Sequence, residues 1–128
     1  MPTPRLATAV LFVKDIQRLA EFYHEGLGLP LIAAPMAPGW LELDAGGVRL
    51  ALHALPPRVA RTIEITNPPR AREETPIKLL FEVDDLDEAR RRLVQHGATM
   101  FELRNSGVCD GLDPEGNVFS LIPRSSRE

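Results

Sequence analysis

The sequence repeats one pattern of capping residues, glycines and hydrophobic positions, and this internal repeat restricts the possible folds more than any other feature. Asp15 in the first half matches Asp85 in the second half, 70 residues later. Towards the end of each copy, Gly47 matches Gly116, 69 residues later. Because the matches keep the same order along the chain, we expect two copies of one structural unit, with one residue missing from the second copy.

Each copy has the hydrophobic pattern of a strand, a helix and three further strands. Asp15 precedes a helix with an apolar face, and Asp85 followed by Glu88 is a capping box with Asp in place of Ser or Thr. Alternating polar and apolar residues predict most of the strands that follow the helices. The predicted strands are 8–13, 29–34, 40–44 and 48–53 in the first copy, and 77–83, 99–103, 108–112 and 118–122 in the second.

Residues 56–76 separate the two copies and contain five prolines among arginine and glutamate residues. This composition predicts a connector, with a short element at 62–66. The connector is long for a compact domain, so it either covers a binding site or is a bare linker. We expect one domain over 1–128, made of a first module at 5–55, this connector and a second module at 77–124.

Charge and composition restrict the partners of the chain. It has 18 acidic and 15 basic residues and a net charge of −3, whereas proteins that bind nucleic acid usually have a basic excess. The longest apolar run, residues 6–13, is too short to cross a bilayer and has no export-signal pattern. The single cysteine, Cys109, excludes an internal disulfide. We expect a cytoplasmic protein with a small-molecule ligand and no nucleic-acid or membrane partner.

Several short motifs within the repeat resemble those of the vicinal oxygen chelate superfamily, the glyoxalase, bleomycin-resistance protein and dioxygenase family. The most specific is the Asp-Pro-Glu-Gly-Asn turn at 113–117, directly before the final strand. The others are Val-Lys-Asp at 13–15, Phe-Tyr at 22–23, Gly-Leu-Gly at 26–28 and Phe-Glu-Val-Asp at 81–84. The resemblance covers 6–123. It implies an α+β fold of two βαβββ modules, with curled, antiparallel-rich sheets around a cavity, helices on the outside, and a homodimer.

The resemblance also implies where a metal would bind. Metal-dependent members of the superfamily place one ligand, usually His or Glu, on the first and on the last strand of each module. The matching positions here are Thr8, Ala51, Lys78 and Ser120. Hydroxyl, methyl and ammonium groups are poor ligands for a divalent transition metal. We therefore expect no cofactor, and a protein similar to the bleomycin-resistance branch that binds a compound without transforming it.

Strand alternation sorts the residues that would line the cavity. The predicted ligand-binding residues are Thr8, Phe12, Trp40, Glu42, Arg49, Ala51, His53, Lys78, Glu82 and Ser120, and Cys109 is placed on the same face. Phe12 and Trp40 would pack an aromatic ring. Lys78 and Arg49 would meet anionic groups, and the two glutamates cationic groups. The ordinary alternative is that these charges form solvated pairs at the sheet edges.

Three residues are also weak candidates for catalysis. Lys78 could act as a base or form a Schiff base, although an ion pair with Glu82 or Glu42 is the plainer role. His53 could be a general base, and is otherwise a surface residue at a strand end. Cys109 could be a reactive thiol, and is otherwise a small apolar core residue.

Two other function classes remain open. One is a metal-dependent lyase, isomerase or dioxygenase of the same superfamily, in which His53, Glu42 and Glu82 act as relocated ligands of a divalent metal. The other is a structural or regulatory partner protein with a vestigial cleft, which predicts that Trp40 is buried by protein.

Overall fold

The chain folds as two α+β units of the same design, as the internal repeat predicts. The computed structural model describes residues 8–32, 39–72, 77–104 and 107–124. The two compact units are Met1–Glu64 and Ile65–Glu128, and the boundary between them in the sequence falls within the predicted connector. Each unit has its own sheet. None of the helices in the described ranges has the length and apolar character that crossing a membrane requires.

Unit 1 contains a three-stranded sheet and a capped helix. Its elements are β1 (Thr8–Val13), α1 (Ile16–Glu21), β2 (Trp40–Asp44), β3 (Arg49–Ala54) and α2 (Pro57–Ala60). The central strand β3 is parallel to β1 and antiparallel to β2. The Asp15 carboxylate accepts a hydrogen bond from the backbone N–H of Arg18 at 3.1 Å, which caps α1 as predicted. The helix then continues as a π-helical turn at Phe22–Gly26.

Two sequence predictions in unit 1 need correction. The strand expected at 29–34 is reduced to one isolated bridge between Leu31 and Leu43, and residues 33 and 34 lie outside the described residues. The element expected at 62–66 is wrong, because the connector instead forms α2 at Pro57–Ala60. Proline suits the first turn of a helix, since its fixed φ is helical and no N–H is needed there.

Unit 2 contains the complete strand–helix–strand–strand–strand pattern. Its elements are β4 (Leu79–Val83), α3 (Leu86–Gln95), β5 (Thr99–Met100), β6 (Cys109–Leu112) and β7 (Val118–Pro123), in the sheet order β4-β7-β6-β5. Asp85 caps α3 by accepting from the backbone N–H of Glu88 at 3.1 Å. The strand predicted at 99–103 is shorter than expected.

Each sheet buries one face and leaves the other open. Leu43, Leu50 and Leu52 of unit 1 are at most 2 % exposed, and so are Phe119 and Leu121 of unit 2. On the opposite faces, called open below, the side chains that alternate with the core residues of β1 and β4 are partly exposed, whereas Ala51 of β3 and Ser120 of β7 are fully buried. Because successive side chains of a strand point to opposite faces, the open faces are where a ligand could contact the sheets.

The turn at 113–117 is held by a buried carboxylate. Asp113 Oδ1 accepts from the backbone N–H groups of Glu115 and Asn117, each at 2.9 Å. Its Oδ2 accepts from the side-chain amide of Asn117 at 2.9 Å. Gly116 has a φ of +85°, and a Cβ there would lie 2.1 Å from the carbonyl oxygen of Arg70. The motif therefore fixes both the hairpin before β7 and the connector that crosses it.

Candidate functional site

The open face of the unit 1 sheet carries three rows of side chains that cross its strands. The rows, read from β1 through β3 to β2, are Phe12, His53 and Trp40; Val10, Ala51 and Glu42; and Thr8, Arg49 and Asp44. All seven unit 1 residues that the sequence assigned to the ligand-binding face are among these nine. Their shared face is thus a product of strand register, which alternation alone predicts well.

The first of these rows is a continuous aromatic surface, called the aromatic row below (Phe12, His53 and Trp40). The ring centroids of Phe12 and His53 are 5.4 Å apart, and those of Trp40 and His53 are 5.3 Å apart. Phe12 is 55 % exposed, and Trp40 and His53 are partly exposed. The His53 ring is tilted by 38° against Phe12 and by 63° against Trp40, so a planar molecule can stack on one ring of the row at a time, and Phe12 is the most exposed.

Glu42, in the middle row, joins the aromatic row to Arg49 of the third row. The indole Nε1 of Trp40 donates to Glu42 Oε2 at 2.8 Å, and Arg49 Nη1 donates to Glu42 Oε1 at 2.9 Å. The Glu42 side chain is 13 % exposed and that of Arg49 is 55 % exposed. Both carboxylate oxygens of Glu42 thus orient protein groups, while the guanidinium of Arg49 faces solvent and can meet an acceptor from there.

Unit 2 gathers charged groups around one residue that the sequence analysis missed. Asp110 Oδ1 lies 3.4 Å from Arg104 Nη2 and 3.7 Å from Lys78 Nζ, and the Ser120 hydroxyl donates to it. We call these four residues the Asp110 cluster. The predicted ion pair of Lys78 with a glutamate is wrong, because Asp110 is its partner. Lys78 and Glu82 are four residues apart on an extended segment, so they lie about 13 Å apart along it.

Cys109 lies on the opposite face from the one predicted. It pairs with Leu121 across β6 and β7, and its side chain is fully buried. Its thiol donates to the carbonyl oxygen of Phe101 at 3.4 Å and accepts from Arg90 Nε at 3.3 Å. The sequence placed Cys109 on the same face as Ser120, but Asp110 is the residue that pairs with Ser120. A shift of one residue moves every side chain of a strand to the other face.

Glu82 belongs to a surface network at the end of β4. Its Oε1 lies 3.9 Å from Arg124 Nη1, and Arg124 Nε donates to Asp84 Oδ1 at 2.7 Å. The hydrogen bond to Asp84, together with the charge of that carboxylate, raises the pKa of Arg124 above its ordinary value. Exposed ion pairs of this kind contribute little to stability.

The side chains at the four positions of the superfamily's metal ligands do not fit a divalent metal. Ala51 is fully buried and has no donor atom. The Ser120 hydroxyl and the Lys78 ammonium are both engaged by Asp110, and Thr8 offers one neutral hydroxyl. Of the relocated ligands, Glu42 has both oxygens bonded to Trp40 and Arg49.

Comparison with protein families identifies the fold. The family model of the glyoxalase-like domain matches residues 8–122. The chain belongs to the glyoxalase-like domain family. Membership of the vicinal oxygen chelate superfamily, implied by the turn at 113–117 and the other motifs, is thereby confirmed. No curated protein matches this glyoxalase-like chain.

Solved structures resemble the glyoxalase-like chain over nearly its whole length. A glyoxalase/bleomycin resistance protein/dioxygenase family enzyme from Burkholderia phytofirmans PsJN has a TM-score of 0.74 and 23% identity, covering 94% of this chain and 98% of that one. TnmS3, an antibiotic binding protein from Streptomyces sp. CB03234, has a TM-score of 0.66 and 23% identity, covering 98% and 99%. The fosfomycin resistance protein FosX from Mesorhizobium loti has a TM-score of 0.68 and 15% identity, covering 98% and 96%. These similarities show the fold alone.

Proposed function

We propose that this glyoxalase-like protein binds a small, polar aromatic molecule on the open face of its unit 1 sheet, without a metal and without transforming it. One observation carries the proposal. Phe12, His53 and Trp40 form an aromatic row whose outer ring, Phe12, is 55 % exposed. Exposed aromatic rings that lie side by side beside fixed polar groups are typical of small-molecule sites.

The aromatic row supplies the apolar part of the site. Phe12 offers most of the exposed ring area, and Trp40 is held in one orientation by Glu42. A ring held in place before binding loses little conformational freedom when the ligand arrives. We therefore assign Phe12 the main stacking role and Trp40 the role of a rigid wall.

Arg49 supplies the polar part of the site. Its guanidinium is 55 % exposed beside the aromatic row, and Glu42 fixes one end of it at 2.9 Å. The fixed guanidinium can donate in its plane to a carboxylate, nitro or carbonyl oxygen of the ligand. Glu42 acts as a positioning residue, because the cation it meets is Arg49 and its own side chain is mostly buried.

Metal independence is part of the proposal, and the donor chemistry supports it. Ala51 has no donor, and Lys78 brings a positive charge to a position that would hold a ligand in metal-dependent relatives. The binding of antibiotics named for TnmS3 and the fosfomycin resistance named for FosX belong to those proteins. They favour small-molecule recognition as the kind of function to test. The expected homodimer and cytoplasmic location stay predictions.

The proposal is tested by a thermal-shift screen of polar aromatic compounds, run on the protein after treatment with EDTA. Binders should raise the melting temperature of the native protein and of Phe101→Ala, which removes a ring that is 46 % exposed in unit 2. They should raise the melting temperature of Phe12→Ala by less than that of the native protein. Binders that stabilise Phe12→Ala as much as the native protein would place the site elsewhere and overturn the proposal.

Calorimetric titration with nickel, zinc, manganese and iron(II) tests metal independence. We expect no stoichiometric binding. One bound metal per chain, lost in His53→Ala or Glu42→Gln, would favour the metal-dependent enzyme instead. In that case, the EDTA-treated protein should give no binders in the screen until the metal is restored.

A further inference from the structure

We propose that the open face of unit 2 holds a second binding site, which takes a carboxylate carried on a short apolar chain. The site is built on the Asp110 cluster (Lys78, Arg104, Asp110 and Ser120). It is built from residues of unit 2 alone, and its test does not depend on the function proposed above.

The charges of the cluster favour an anion. Lys78 and Arg104 both lie within 3.7 Å of one carboxylate oxygen of Asp110, so among the residues that the structure describes two cations share this negative charge. Their side chains are 41 % and 53 % exposed, and that of Asp110 is 28 % exposed. An ammonium has three N–H donors and a guanidinium has five, which leaves donors for a second carboxylate.

Acidic groups elsewhere on β4 do not cancel this surplus charge. Glu82 is the acidic residue on the open face of β4, and it is paired with Arg124 at 3.9 Å. Leu80 stands between Lys78 and Glu82 on that face, opposite Ser120 on β7. The positive charge is therefore confined to one end of the face.

Apolar side chains lie directly beside the cluster. Leu80 is 55 % exposed and pairs with Ser120, the residue that donates to Asp110. Val118 is partly exposed two residues before Ser120 on the same face of β7. A ligand whose carboxylate reaches Lys78 and Arg104 can thus cover Leu80 with a short hydrocarbon chain.

The equivalent positions in unit 1 differ in charge. Glu42 pairs with Ala51 across its strands, as Asp110 pairs with Ser120. The charge of Glu42 is neutralised by one arginine, and its second oxygen accepts a hydrogen bond from the neutral indole of Trp40. The two copies of the repeat thus keep a carboxylate at the same place, but surround it with one cation in unit 1 and two in unit 2.

The test is a titration of the full-length, isotope-labelled protein with hexanoate, followed by the amide signals of Leu80 and Ser120 in NMR spectra. Hexan-1-ol is the uncharged counterpart. Hexanoate has no aromatic ring, so its binding does not depend on the aromatic row. We expect saturable shifts of both signals with hexanoate and none with hexan-1-ol.

Four variants, each first shown to be folded, distinguish binding at the Asp110 cluster from a general effect of the protein's charge. Lys78→Met and Arg104→Met should each weaken hexanoate binding about fivefold, the size expected for a partly exposed ion pair. Arg124→Met removes the same charge from unit 2 outside the cluster and should change the affinity less than about twofold. Asp110→Asn should tighten binding about fivefold, because both cations lose their competing carboxylate.

Asp110→Asn is expected to tighten hexanoate binding, whereas the two cation variants weaken it. A cluster with a purely structural role would not give this difference. The proposal is overturned if hexanoate produces no saturable shift at Leu80 and Ser120. It is also overturned if Arg124→Met weakens binding as much as Lys78→Met, or if a folded Asp110→Asn variant binds hexanoate more weakly than the native protein.

Discussion

The indole N–H of Trp40 donates a hydrogen bond to the Glu42 carboxylate, two residues further along the same face of β2, at 2.8 Å. The second oxygen of that carboxylate accepts from Arg49 on the neighbouring strand. One mostly buried acidic residue therefore fixes both an aromatic wall and a cationic group. The positions of Trp40 and Arg49 on the unit 1 face therefore depend on Glu42.

This arrangement predicts different outcomes for two substitutions of Glu42. Glu42→Ala leaves the indole N–H and the guanidinium without their acceptor and should lower the free energy of unfolding by about 1–2 kcal/mol. Glu42→Gln keeps an amide oxygen for Trp40 and should cost less than about 1 kcal/mol. Urea unfolding followed by circular dichroism measures both values. Equal losses in the two variants would contradict the positioning role.

The duplicated turns predict unequal effects for two matched aspartates. Asp113 is fully buried and accepts three hydrogen bonds, whereas Asp44, at the matching position of unit 1, is exposed and accepts one from the backbone N–H of Gly46. Asp113→Ala should cost about 3 kcal/mol of unfolding free energy, and Asp44→Ala about 1 kcal/mol or less. The same urea unfolding experiment compares them. A larger loss for Asp44→Ala would show that the turn in unit 2 is not the tighter one.

Gly116 and Gly46, which each stand in the turn before the last strand of their unit, provide a second comparison. Both have positive φ, +85° and +81°, but only at Gly116 would a Cβ meet the backbone of Arg70, at 2.1 Å. Gly46→Ala should cost about 1–2 kcal/mol from backbone strain alone. Gly116→Ala should cost at least about 3 kcal/mol, because the connector must also move.

Displacement of the connector has its own readout. The backbone N–H of Arg72 donates to the Gly116 carbonyl at 3.0 Å. Trypsin should therefore cut after Arg70 or Arg72 faster in Gly116→Ala than in Gly46→Ala. Equal rates in two folded variants would show that the glycine does not hold the connector in place.

The burial of Cys109 predicts a protected thiol. Its side chain is fully buried against the core face of β6 and β7. A thiol reagent such as dithionitrobenzoate should modify the native protein at least about 100-fold more slowly than the urea-unfolded chain. Rapid modification of the native protein would instead support the cavity-facing thiol that the sequence predicted.

Local patterns in the sequence were enough to predict the design of each unit. The caps at Asp15 and Asp85, the buried strand cores and the turn at 113–117 depend on nearby residues, so they could be read directly. The open face of unit 1 was also predictable, because β2 and β3 are joined by a tight turn that sets their register. Residues 40–54 therefore carry five of the seven predicted unit 1 residues in the expected places.

The prediction failed where register depends on longer connections. β6 follows a loop after the two-residue strand β5, and neither alternation nor the matched turns determined which residue pairs with Ser120. The prediction therefore placed Cys109 on the wrong face of β6 and left Asp110 out of the predicted site. Lys78 was predicted as a site residue. Its partner Asp110 was missed, because its place on the open face depends on the same register of β6.

The fluorescence of Trp40 tests most directly whether the aromatic row binds a polar aromatic molecule. Trp40 is the single tryptophan, so its emission reports on the aromatic row alone. We would titrate the native protein, Phe12→Ala and Phe101→Ala with 4-nitrobenzyl alcohol, an uncharged polar aromatic quencher. The account predicts saturable quenching of the native protein and of Phe101→Ala, with affinity about fivefold weaker in Phe12→Ala, the loss expected for one aromatic contact. Quenching that rises linearly without saturation, and equally in all three proteins, would contradict it.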